Sequence, residues 1–128
     1  MRAALRGRLL FQFKEQKMKK KVNIDGKTYT IENNALLPRR YRHTFGRDLM
    51  IDMQRMVETY RKAPEECSTE VLENITWLML KEAGEQVGET PEDWLATIES
   101  PFAVYEAIED VVDLWGKGRE VTSRPKKK

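Results

Sequence analysis

One cysteine, Cys67, and one histidine, His43, are all that this chain of 128 residues holds of the two side chains most used for metal ligation and nucleophilic attack. A lone thiol cannot close an internal bridge, and with no secretory leader in view the scarcity of cysteine suits a reducing compartment, so a cytoplasmic protein is expected. No HExxH, ExxH or CxxC spacing occurs, and neither a zinc nor a di-iron site is expected. Gly84 and Gly88 stand apart and lack the lysine that follows the glycines of a phosphate-binding loop. The apolar runs fall well short of the roughly 20 residues that cross a bilayer. What these absences leave is a soluble binding protein without cofactor or metal, and not an enzyme.

The hydrophobic fraction of 40% suffices for one modest core, hence one domain. A net charge of +2 hides a strong segregation along the chain. Residues 1–21 hold eight Lys or Arg against Glu15 alone, and residues 39–62 hold seven against Asp48, Asp52 and Glu58. From Glu65 to Asp113 the balance inverts to fourteen carboxylates against one base, Lys81. That acidic half repels phosphates, which counts against nucleic acid as a partner. The last residues turn basic again at Arg119, Arg124 and Lys126 to Lys128.

Residues 1–17 offer no amphipathic pattern and are expected to be a disordered or spurious extension, because Lys14-Glu15 can be encoded by a ribosome-binding sequence placed upstream of Met18. The domain is expected over residues 18–115. Its first element is a hairpin over 22–31, turned at Asp25-Gly26, with Val22 opposite Tyr29 and Ile24 opposite Lys27. Val22, Ile24, Tyr29 and Ile31 then share one side that helices must cover, since a lone hairpin is marginal in water.

Asn33 or Asn34 is expected to cap a short helix bearing Leu36, Leu37, Tyr41 and Phe45, with Pro38 in its first turn and Gly46 as its break. Over 47–62, Leu49, Met53, Met56, Val57 and Tyr60 form an apolar stripe, with Asp48, Asp52, Arg55 and Glu58 on the opposite, solvent side. The segment 69–83 is apolar nearly all round and should be the central helix, capped by Ser68 or Thr69 and closed at Gly84. Thr90-Pro91-Glu92-Asp93 starts a short helix, and Ser100-Pro101 starts another expected over 102–115 and closed by Gly116. Residues 116–128 read as a flexible basic tail. The fold class is therefore mostly α: four or five helices with an N-terminal β-hairpin.

Two constellations stand out. Glu106, Glu109, Asp110 and Asp113 would share one face of the last helix, and a solvated face explains them more simply than a metal site. Arg39, Arg40, Arg42 and Arg47, interleaved with Tyr41 and Phe45, form the best site-like cluster. They are solvated arginines beside core aromatics or a recognition surface for an acidic partner, a role in which Arg and Tyr are favoured.

The run RRYRHTFGRDLMIDM, residues 39–53, together with TPEDWLATIE at 90–99 and FAVYEAIEDVVDLW at 102–115, resembles the tail assembly chaperones of long-tailed bacteriophages and prophages of Gram-positive bacteria. The resemblance extends from about Lys19 to the end of the chain and rests on the order and spacing of the three stretches. It implies a non-catalytic protein of the host bacterial cytoplasm. Such a protein binds the long helical tape-measure protein, keeps it soluble and delivers it to tail-tube subunits, with several copies along the partner. It also implies a second, frameshifted product, for which Pro125 to Lys128 could supply a slippery adenine run. The alternative is a small DNA-binding or regulatory protein using the basic segment 39–62.

Overall fold

The computed structural model describes residues 18–123, with side chains through Lys117. Two strands, β1 (Lys19–Ile24) and β2 (Lys27–Glu32), pair antiparallel in the expected register, Val22 opposite Tyr29 and Ile24 opposite Lys27. The turn works because Asp25 and Gly26 both take positive φ, 56° and 80°, the handedness that a two-residue hairpin loop demands. Each strand runs farther than the expected hairpin, to Lys19 and Glu32, and ends where Asn33 N–H donates to the Met18 carbonyl at 2.9 Å.

Five α-helices follow among the described residues: α1 (Leu37–Phe45), α2 (Leu49–Lys62), α3 (Thr69–Glu82), α4 (Pro91–Leu95) and α5 (Ile108–Ser123). The mostly α class with an N-terminal hairpin is what the structure has. Asn34 starts α1 by accepting from the N–H groups of Leu36 and Leu37, at 3.0 and 3.1 Å, and Pro38 sits in the first turn. Asp48 caps α2, Ser68 caps α3, and Thr90 with Asp93 makes a reciprocal capping box at α4. Central α3 buries Leu72, Ile75, Thr76, Trp77, Leu78, Met79 and Leu80. It supports β2 on one side and touches α1, α2 and α4 on others, so the apolar hairpin side is covered as its isolation required.

Three expectations fail locally. The stretch 102–115 is not one α-helix: a 3-10 segment over Ala103–Ala107 precedes α5, and Phe102 stands 74% exposed. Apolar residues at 103, 104, 107 and 108 fall on one face at 3.6 residues per turn, so the pattern carries no sign of the tighter 3-10 turn. Gly116 does not close α5, which continues to Ser123, because a mid-helix glycine costs only about 1 kcal/mol and Gly116 does not take the left-handed conformation. Asp52, placed on the solvent face of α2, is buried. The expected extension at 1–17 and the Pro125 to Lys128 run lie outside the described residues.

Candidate functional site

The arginine and aromatic cluster divides once α1 and α2 are in place. Leu37 and Tyr41 point inward from α1 and are fully buried, whereas Arg39, Arg40 and Arg42 are exposed. Gly46, with φ 68°, ends α1 and returns its N–H to the Arg42 carbonyl at 2.8 Å, which turns the chain so that Arg47 reaches back over α2. There Arg47 grips Asp52 with both forks of the guanidinium: Nε donates to Oδ2 at 2.7 Å and Nη2 to Oδ1 at 2.8 Å. The Tyr41 hydroxyl donates to the same Oδ2 at 2.7 Å.

This triad is a clamp between α1 and α2. The hydrogen bonds from Arg47, aided by that from Tyr41, hold the Asp52 carboxyl below the usual carboxylate range against the opposing effect of burial. Burial, followed by the anionic Asp52, pushes the Tyr41 phenol well above its ordinary value. Hydrogen bonding to Asp52 likewise raises Arg47. Tyr41 and Arg47, expected in the partner-binding surface, are thus committed to internal contacts. Phe45 also serves packing, half-buried between Tyr41, 5.0 Å away by ring centroids, and Trp77 at 6.1 Å.

Arg39 and Arg40 belong to something different: a groove of about 730 Å³ between α1 and α3, lined also by Leu36, His43, Trp77 and Lys81. Arg40 Nε donates to Glu82 Oε2 at 2.6 Å, and Lys81 lies 5.1 Å over the Trp77 ring and 3.7 Å from Glu89. These pairings leave Arg39 as the groove's one cation without a partner among the described residues. Trp77 makes the floor rigid, its indole N–H donating to the Val87 carbonyl at 3.1 Å. Leu36 projects at the rim, 49% exposed. Arg42 is exposed and is not part of this groove.

The groove supplies an apolar floor, one exposed aliphatic side chain and a guanidinium free to meet a carboxylate. Chemically, such a surface can pack against apolar side chains and pair with an anionic group. Two of its features were hidden from the amino-acid pattern. Leu36, expected on the short helix with Leu37, Tyr41 and Phe45, stands at the N-cap of α1 and is exposed. The α3 contribution could not be seen because periodicity does not say which helices meet. Comparison with protein-family models, with curated proteins and with solved structures finds no match.

Proposed function

We propose that this protein is a non-catalytic phage tail assembly chaperone. It binds the helical tape-measure protein in the host bacterial cytoplasm, keeps it soluble and promotes tail-tube assembly. The reading is supported first by the ordered resemblance of residues 39–53, 90–99 and 102–115 to that family. The structural observation that carries it is the α1–α3 groove, where the free Arg39 and the exposed Leu36 flank an apolar floor. A long helix with an uncovered apolar stripe self-associates, and many weakly bound copies of a small domain would cover that stripe reversibly. No helix among the described residues is long and apolar enough to cross a membrane.

The alternative, DNA binding through segment 39–62, has weaker support, since Arg40 and Arg47 already answer internal carboxylates. The test is co-expression with the tape-measure protein from the same genome. The wild-type chain should move that protein from the pellet to the supernatant. Leu36→Ser with Arg39→Glu should reverse the effect while leaving the chaperone's melting temperature within a few degrees, as both side chains are exposed. A tape-measure protein equally insoluble with and without the wild-type chain would refute the reading. Arg40 is deliberately left intact, because its charge reversal would break the contact with Glu82 and confuse binding with folding.

A further inference from the structure

A second groove, of about 510 Å³, lies where the start of α3 meets the end of α4 and the 3-10 segment, and shares no lining residue with the first. Its walls include Leu95, Ile98, Phe102, Val104 and Tyr105, with Glu73 among them. Phe102 is the most exposed of the large hydrophobic side chains among the described residues, at 74%. Its backbone position is set by its own N–H donating to Ser100 Oγ at 3.2 Å, so the turn does not require an aromatic ring there.

Glu73 is the second anomaly. Other carboxylates of the acidic half serve the fold: Glu85 accepts from Thr30 N–H at 2.7 Å, Glu106 from Asp25 N–H at 3.0 Å, and Asp110 and Asp113 hold Lys20 at 3.1 and 3.0 Å. Glu73 is half-buried in an apolar wall with neither hydrogen bond nor ion pair among the described residues. Burial, then Glu70 and Glu92, hold its carboxyl above the usual range. A cation beside it would offset these effects by favouring the charged carboxylate. The only base between Glu65 and Asp113, Lys81, is engaged at the other groove.

We infer that this groove docks an amphipathic helix of a partner protein, with the partner's apolar stripe covering Leu95, Ile98 and Phe102 and a flanking Lys or Arg reaching Glu73. The occupant is helical because none of the lining residues belongs to a strand: they come from α3, the end of α4, the turn over 98–102 and the 3-10 segment, which offer no strand edge. An incoming backbone must therefore satisfy its own hydrogen bonds. Its basic character follows from the uncompensated carboxylate and the surrounding acidic field. This docking chemistry holds whichever protein supplies the helix, so it stands or falls apart from the tape-measure reading.

The probe is a fluorescein-labelled helical peptide with leucines at i, i+3, i+4 and i+7 flanked by lysines, titrated with the full chain and followed by anisotropy. A peptide with glutamates in place of lysines should not bind. Glu73→Gln and Phe102→Ala should each weaken binding by about fivefold or more, the size expected for interface side chains that matter. Glu109→Gln, on an exposed carboxylate of α5 outside the groove, should change nothing. Unchanged far-UV circular dichroism would show that the variants fold. Three results would overturn the inference: no binding by the full chain, equal weakening by Glu109→Gln and Glu73→Gln, or a dimer of the chain that Phe102→Ala dissociates. The second would reduce the effect to non-specific acidity, and the third would give the groove to another copy of this chain.

Discussion

Asp52 collects three hydrogen bonds on two oxygens, from a phenol and both forks of a guanidinium. Replacing it with Asn turns an amide nitrogen toward donors, and at neutral pH this should cost about 1 to 3 kcal/mol. The folded protein holds Asp52 below its ordinary proton affinity, so its contribution is fully present above the unfolded carboxylate value and is lost as pH falls through the folded one. The stability gap between wild type and Asp52→Asn should therefore be widest near neutrality and close below about pH 4. Urea titrations along that range measure it. A gap independent of pH would mean that the carboxylate charge does not matter there.

Two of the three buried tryptophans, Trp77 and Trp94, make a sharper comparison at the same scale. Trp77 donates its indole N–H to Val87, whereas the Trp94 indole nitrogen is buried without a hydrogen-bond partner and its ring meets Tyr29 edge to face at 6.4 Å. Trp77→Phe should lose packing and a hydrogen bond, leaving the Val87 carbonyl to find another donor. Trp94→Phe should lose packing alone and cost about 1 kcal/mol less. Equal losses in thermal melts would show that the Trp77 bond contributes nothing net. The clamp itself was not legible from the amino-acid pattern, because helical periodicity assigned Asp52 to the polar face. The one available signal was Tyr41 on an apolar stripe, since a buried phenol must find a partner.

At the scale of elements, most start and stop signals are legible, with two exceptions: Ser100-Pro101 precedes a 3-10 segment and not an α-helix, and Gly116 does not end α5. Thr90-Pro91-Glu92-Asp93 combines a hydroxyl cap, a proline and two acids whose chemistry is local, and the structure has the full capping box there. Asp25-Gly26 is equally local. Glycines are ambiguous: Gly46, Gly84 and Gly88 take positive φ, but Gly116 lies within α5. That difference is testable. Gly116→Ala meets no atom within 4 Å and should stabilise the protein by about 0.5 to 1 kcal/mol. Gly88→Ala should destabilise by more than that, because its φ of 79° disfavours a side chain and the added Cβ would fall 2.4 Å from Asp93 Cβ, disturbing the cap of α4. Opposite signs in paired melts are the expected result. A destabilising Gly116→Ala would argue that α5 ends earlier than Ser123.

At the scale of the molecule, the described residues share one core, to which both the hairpin and α5 contribute. Class and hairpin register were legible because they depend on short-range patterns, whereas both grooves arise from contacts between distant segments and no single stretch carries them. The same long-range coupling predicts how the protein unfolds. Val22, Ile24 and Ile31 share their core with α3, the 3-10 segment and α5, and the hairpin is tied down by Glu85, Glu106, Asp110 and Asp113. A two-stranded hairpin has little stability of its own, so it should not persist once those helices melt. Conversely, the helices lose a wall of their core if the hairpin leaves. Far-UV circular dichroism, dominated by the helices, and tryptophan fluorescence, to which Trp94 contributes beside Tyr29 of β2, should report one coincident transition. Ile31→Ala, at a fully buried position, should shift both probes together by about 2 to 5 kcal/mol of stability. If fluorescence moved to lower denaturant while the helical signal stayed in place, the hairpin would be an appendage that the helical core does not need. The acidic contacts to β1 and β2 would then be secondary to a helical domain stable without them.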